Sequence, residues 1–478
     1  MLAPDRKLLD KVDYPILTQM TEERLNTAFA NRFRCPESYA RYSLAGKLEG
    51  PNRFFCFGED TVCYGQTSTG NSTSEHSNLH DISESIRFED SRCVLPFDPS
   101  QVVDDLRHEN YVSDRLHPQG WGDPGSDGER NHLAAWIRNA YYFFRPCLPV
   151  LVRRHLQRIA LRGWKRRRFP AWPVDRTVEH LFEEFLKLSS RASRTETIPF
   201  IWFWPEGHSS CLIMTHDVET QKGLEFCPVL MDMDESCGMR SSFQIIPEGR
   251  YRASDTAIDA IQARGFEINV HDLNHDGHLF RSRDEFLRRV PRINEYAEEI
   301  GAKGFRSAVL FRNLDWYNSF AFSYDMSVPN VGHLDPQPGG CCTVMPYFVG
   351  NIVELPLTTT QDYSLFHILG DYSLDLWRRQ VGMISEKHGL ISFNIHPDYI
   401  MSQPARSTYQ GLLAHLSRLC AETRIWRALP GEVDFWWRQR QQMSLVQEGK
   451  TWRIEGPGRD RARIAWATVT GEQVSYSF

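Results

Sequence analysis

Short apolar or alternating runs recur through the middle of the chain: CLIMT (211–215), SSFQII (241–246), FEINV (266–270), GFRSAVL (304–310), NIVELPL (351–357) and LISFNIH (390–396). Their length and their Ile, Val and Phe content are those of β-strands. In FEINV, Phe266, Ile268 and Val270 alternate with Glu267 and Asn269, the period-two pattern of a half-buried strand. Helical periodicity separates these runs. Within 281–300, Ser282 and Glu285 stand in capping-box spacing, and Phe286, Val290, Ile293, Ala297 and Ile300 recur at helical intervals. Pro291 in the middle of that segment is expected to kink it. Segments 371–389 and 406–422 are also helical by periodicity, the first closing at Gly389. Strands alternating with helices predict βα units and a mostly parallel sheet.

The flanks have a different texture. Residues 1–205 read as an α+β region of unknown role. It carries a polar low-complexity loop (65–78), a Gly/Pro/Asp loop (121–130) and helical signals at 131–144 and 151–168. Residues 441–478 hold three β-like runs, TWRIEG, RARIAWATV and QVSYSF, the pattern of a small antiparallel β appendage. Three successive domains are therefore expected, 1–205, 206–440 and 441–478.

Composition changes this picture little. The 478 residues are 41% hydrophobic and 24% charged, with a net charge of −6. That balance suits a globular chain with a sizeable core, and gives no global attraction to nucleic acid. The N-terminus lacks the apolar stretch of a signal peptide, and no run of about 18 apolar residues occurs. Eleven cysteines without CxxC pairs then read as reduced thiols, and the expected location is cytoplasmic. The basic segment 151–168 admits two readings, a peripheral contact with an anionic membrane or a solvated face whose arginines pair within the domain.

Candidate chemistry lies at the ends of the predicted strands, where parallel α/β folds place functional side chains. CLIMT runs into His216, Asp217 and Glu219; FEINV ends at His271; GFRSAVL carries Arg306; LISFNIH ends at His396. His275 lies four residues after His271, so a helical turn after the strand puts both imidazoles on one face, within reach of one metal ion. A neighbouring carboxylate completes three ligands and leaves open positions, the mark of a catalytic metal. Asp325 and Asp362 are candidate substrate contacts, and His278 is expected on the rim. Loops 323–330 and 338–347 are candidate walls of the site.

These segments resemble the polysaccharide deacetylase family of NodB-homology, carbohydrate esterase type. Thr215-His216-Asp217-Val218-Glu219 stands where that family has Thr-Phe-Asp-Asp. Gly265-Phe266-Glu267-Ile268 followed by His271 and His275 matches its His-x3-His motif. Arg306 matches its arginine motif, with Ala308 where a proline is usual, and Phe393-Asn394-Ile395-His396 matches Leu-x-x-His. The resemblance covers about 215 residues and leaves both flanks aside.

The resemblance implies a distorted (β/α)7-type barrel and metal-dependent removal of an acetyl group from an N-acetylated, or O-acetylated, saccharide. It implies Asp217 as catalytic base, His396 as general acid and Arg306 as the group orienting the base. It implies a divalent metal, zinc before others, on His271 and His275. Val218 stands where the family has its metal-binding aspartate, so Glu219 is the candidate third ligand. Asp217 and Glu219 project to one side of an extended segment, and their roles are interchangeable at this stage. The expected setting is exopolysaccharide or cell-envelope carbohydrate metabolism. Two rivals stand beside this: a cyclic-amide hydrolase acting on a small molecule, and a sugar-binding barrel without turnover.

Overall fold

The structure is a computed structural model that describes residues 14–58, 61–69, 72–73, 79–112 and 164–478. The loop expected at 121–130, the helix expected at 131–144 and most of the basic segment 151–168 lie outside the described residues. Among the described residues no helix is long and apolar enough to cross a membrane, and the ten described cysteines are all free.

The chain divides into two compact units, and both are discontinuous in sequence. The larger draws on Arg107–Arg176 and Trp204–Gln439. Its centre is seven parallel strands: β1 (Cys211–Val218), β2 (Ser242–Ile245), β3 (Glu267–His271), β4 (Gly304–Arg306), β5 (Tyr324–Asp325), β6 (Ile352–Glu354) and β7 (Leu390–Asn394). They pair in chain order from β1 to β6, and β7 returns to pair with β1.

The remaining seam, from β6 to β7, is held by few bonds. Beyond β6 the chain continues extended, with Leu357 N–H donating to the Val328 carbonyl and Thr359 N–H to the Ser392 carbonyl. The Thr358 hydroxyl donates to Leu390 O and accepts from Ser392 N–H, and the Thr359 hydroxyl donates to Ser392 O. Threonine side chains here replace part of a regular ladder, and the barrel is correspondingly distorted.

Helices Gln221–Ser236, Asp255–Ala263, Arg283–Glu299, Asp375–Ser385 and Gln403–Thr423 pack around this sheet. Trp377, Phe393, Leu412 and Leu416 share one apolar cluster, and Phe286, Ile293 and Phe305 another. The Arg283–Glu299 helix begins at Ser282, whose hydroxyl accepts from Glu285 N–H, and it contains Pro291 without being divided by it. The strand 266–270 is not half-buried: Asn269 is as buried as Ile268. In a barrel the polar face of a strand turns inward, and Asn269 is satisfied there by Gly304 N–H, Tyr324 OH and the Ser242 hydroxyl.

The smaller unit comprises the described residues up to Leu106, Thr177–Phe203 and Arg440–Phe478. A chain of aromatic side chains, Phe29, Phe33, Phe182 and Phe200 among them, fills its interior. The expected β appendage at 441–478 is not a separate domain. Its strand Ile464–Thr470 pairs on one side with Gln473–Ser477 and on the other with Thr197–Ile201, so both chain flanks contribute to one sheet. A two-stranded hairpin alone is marginal in water, and the third strand from 197–201 gives it a face to bury. The loop expected at 65–78 also starts later, because Val62–Thr67 is a strand paired with Glu49–Cys56.

Candidate active site

The carboxyl end of β1 builds two different polar clusters by simple alternation. Asp217 points into the barrel, and His216 points out toward the helices. His216 is fully buried; its Nε2 lies 2.9 Å from Asp234 Oδ2 and its Nδ1 3.1 Å from the Ile395 carbonyl. Asp234 also accepts from Ser241 and Tyr409. His216 is therefore engaged in packing and lies on the far face of the strand from Asp217.

Asp217 is buried with charged groups on each side. Asn394 Nδ2 donates to its Oδ2 at 2.7 Å, and Arg306 Nε stands 3.5 Å from its Oδ1. His271 Nε2 and His396 Nε2 each lie 3.8 Å from Oδ2. Burial works against ionisation, but Arg306 and the histidines beside it hold the Asp217 carboxyl below its ordinary range. Arg306 is fully buried and anchored through Nη2 to the Thr215 hydroxyl at 2.9 Å. Burial pushes His271 down to about 4, so it is neutral at pH 7. Arg306 and His396 are then the cations that act on Asp217.

Glu219 follows β1 and meets the second histidine. Its Oε1 lies 3.0 Å from His275 Nε2 and 3.7 Å from His396 Nε2, and Arg250 Nη1 lies 3.4 Å from Oε2. Burial again raises the carboxyl, yet the neighbouring imidazoles, His275 first and then His396, bring it well below the usual range. Asp398 receives the Glu219 backbone N–H and the Thr220 hydroxyl, which fixes the turn that aims Glu219. A Cβ at Gly223 would sit 2.5 Å from Asp398 Oδ2, so this turn needs a glycine there.

The His-x3-His pair comes together by a route other than the expected one. Residues 272–278 are not helical; His275 has a φ of +55° and Asp272 a φ of +58°. The loop is held from several directions. Asp272 accepts from Leu273 N–H and Ala308 N–H, Arg289 grips Asp276, and Arg250 donates to the His275 carbonyl at 3.1 Å. The left-handed turn folds His275 back onto His271, with ring centroids 4.7 Å apart. Positive φ in non-glycine residues is uncommon, and here tertiary bonds impose it.

One ligand atom from each of Glu219, His271 and His275 lies within 4.8 Å of the others. His271 donates through Nδ1 to the Arg306 carbonyl at 3.1 Å; its Nε2 and both nitrogens of His275 make no hydrogen bond. The 3.0 Å approach of Glu219 to His275 is a close contact without hydrogen-bond geometry. Buried imidazole nitrogens without partners are costly, and one from each histidine within 4.8 Å of a Glu219 carboxylate oxygen fits a divalent cation. The Arg306 carbonyl on His271 Nδ1 leaves Nε2 free to ligate, the usual outer support of such a ligand.

His396 stands across Asp217 from His271. Its Nδ1 lies 2.6 Å from Asp362 Oδ1, and its backbone N–H donates to Asp362 Oδ2 at 2.8 Å. Burial disfavours its charged form, but Asp362, Glu219 and Asp217 outweigh that and raise it to about 9. Asp362 therefore orients the histidine instead of meeting substrate. Its position after β6, at a strand's carboxyl end, was a usable signal. Asp325 is likewise no substrate contact. It is buried, accepting from Tyr317 OH and from the Ser327 backbone and hydroxyl. Segment 323–330 contains β5, and Cys341 and Cys342 are fully buried, so neither stretch is an open wall. His278 lies at the surface, 3.5 Å from Asp276.

Comparison of the sequence with family models and with curated proteins gives no match. Among solved structures, a protein from Mycobacterium smegmatis described as a polysaccharide deacetylase is 19% identical, spans 50% of this chain and 93% of its own, and has a TM-score of 0.40. An allantoinase is 12% identical over 49% of this chain and 92% of its own, at 0.39. A family 4 carbohydrate esterase from Streptomyces lividans, solved with acetate, is 12% identical over 46% and 93%, at 0.30. At this level of likeness, function is argued from the chain's own residues.

Proposed function

We propose that this protein is a metal-dependent hydrolase of the polysaccharide deacetylase type, removing an acetyl group from an N-acetylated saccharide in exopolysaccharide or cell-envelope carbohydrate metabolism. The observation that carries the reading is the convergence of Glu219, His271 and His275 within 4.8 Å, beside an ionised Asp217 and a protonated His396. Three of the motif segments supply these five residues, Asp217 with Glu219, His271 with His275, and His396, and the fourth supplies Arg306 beside Asp217.

In this reading His271, His275 and Glu219 hold the cation, and a donor set of two imidazoles and a carboxylate favours zinc. What the ion supplies when bound is polarisation of the amide carbonyl and a lowered pKa of water. Asp217, kept ionised by Arg306 and aligned by Asn394, accepts the proton of the attacking water. His396, kept protonated by Asp362, gives its Nε2 proton to the departing amine nitrogen. The geometry favours Glu219 over Asp217 as the ligand, since Glu219 is the carboxylate that approaches His275, whereas Asp217 lies between Arg306 and the two histidines His271 and His396.

Two measurements on the purified protein test this: metal content by elemental analysis, and acetate release from acetylated chitooligosaccharides. About one equivalent of zinc and acetate release lost in Asp217→Asn are expected. A metal-free protein that still hydrolyses a cyclic amide would replace this reading with the small-molecule one.

A further inference from the structure

A second feature of the larger unit lies outside the motif-bearing segments. Trp164, Lys165, Arg167, Trp172, His333 and Asp371 line a cleft of about 580 Å³. The indoles of Trp164 and Trp172 meet edge to face at 4.8 Å, and the Trp172 ring lies nearly parallel to the His333 ring. His333 is only 1% exposed, and its ring nitrogens make no well-formed hydrogen bond, only a loose approach to the Pro170 backbone. Burial, with Arg167 nearby, pushes it down to about 4, so at neutral pH it offers an acceptor nitrogen as well as a donor. A buried imidazole with at least one ring nitrogen left free on the wall of a cleft marks a place for a ligand group.

The charges on the rim narrow the ligand. Lys165 and Arg167 are exposed, and neither forms an ion pair among the described residues; Arg167 Nη1 reaches the His333 carbonyl at 3.5 Å. The one carboxylate lining the cleft, Asp371, is occupied with the backbone N–H of Ser373. Aromatic faces beside hydrogen-bonding groups suit a sugar ring, with its apolar C–H face and hydroxyl edge, and two exposed cations, Lys165 over the Trp164 ring and Arg167 balanced only at a distance by Asp335, suit an anion.

The cleft also adjoins the catalytic side of the barrel. Trp172 borders a narrow cavity reaching Thr360, Gln361 and Asp335. Gln361 accepts from Asn394 Nδ2 at 3.3 Å, the same group that donates to Asp217. We propose that this cleft is a binding site for an acidic saccharide, a sugar ring bearing a carboxylate or a phosphate. It rests on the reading above in taking a saccharide as the ligand, and it adds the acidic group as the recognised feature.

Isothermal titration calorimetry on the full chain carrying Asp217→Asn tests the proposal without turnover. The probes are tetragalacturonate, N-acetylglucosamine 1-phosphate and neutral chitotetraose. At least one acidic probe is expected to bind about tenfold or more tightly than chitotetraose, and the tighter of the two identifies carboxylate or phosphate as the anion. Arg167→Ala and Trp172→Ala are each expected to weaken that binding by about tenfold. Lys165→Ala and Arg167→Ala alter exposed side chains and keep the test sound if the tryptophan variant fails to fold. Equal binding of neutral and acidic probes, absence of acidic-probe binding, or indifference to Arg167→Ala would each overturn the proposal. Acetate release measured separately on the unsubstituted chain shows whether the catalytic reading stands or falls independently.

Discussion

Strand β1 carries two buried histidine–carboxylate clusters on opposite faces, and they differ in one respect that separates structure from chemistry. On the outer face His216 has both ring nitrogens engaged, and Asp234 is shared among His216, Ser241 and Tyr409. On the inner face three imidazole nitrogens of His271 and His275 have no hydrogen bond although the rings are almost wholly buried. Folding alone tolerates the first arrangement easily and the second only at a cost, because an unpaired buried polar group has lost water and gained nothing. Both clusters set buried histidines against carboxylates. Satisfaction of hydrogen-bonding capacity tells them apart.

The sharpest break of this contrast is on the inner face. Asp217→Asn is expected to lower kcat for acetate release by about 10²–10⁴-fold while bound metal stays near one equivalent. Loss of metal in that variant would exchange the roles of Asp217 and Glu219. The double variant His271→Ala/His275→Ala is expected to lose its metal, read by elemental analysis after dialysis, with the fold retained by circular dichroism. Stoichiometric metal in it would remove the inner cluster as a ligand set.

The outer face should respond in stability and not in metal content. His216→Ala leaves Asp234 buried without its main partner and is expected to cost about 3–5 kcal/mol in denaturant unfolding. Tyr409→Phe, which removes one donor, is expected to cost about 1–3 kcal/mol. Either variant losing metal without losing stability would dissolve the distinction.

The smallest effect concerns pH. His396 acts as an acid only while protonated, and Asp362 is the principal group raising it to about 9. The alkaline limb of kcat/KM is therefore expected near that value, with activity falling as pH rises through it. Asp362→Asn removes the raising partner and leaves the burial, so the limb should move to lower pH. An unmoved limb would assign it to another group.

Much of the barrel was legible because burial imposes a period on strands and helices that any local window reveals. The runs around Ile213, Phe243, Ile268 and Ile391 fall in strands, and Ser282 caps its helix. The site was legible to the extent that it sits at strand ends: Asp217, Glu219, His271, Arg306 and His396 follow from that rule. The rest was not local. His275 reaches His271 through a left-handed turn held by Arg250 and Arg289, and no periodicity encodes that path. Asp362 reads in sequence as a substrate contact, and only the closing of β6 against β7 sets it under His396.

What the sequence determined by itself was the alternation of strand and helix and the residue types at the carboxyl ends of the strands, because these depend on neighbours a few positions away. The tertiary structure alone decided that residues 197–201 join the C-terminal strands in one sheet, that polar Asn269 faces a hydrogen-bonded barrel interior, and which histidine nitrogens remain without partners. Those outcomes depend on groups far apart along the chain, whose meeting is fixed by how the whole barrel packs.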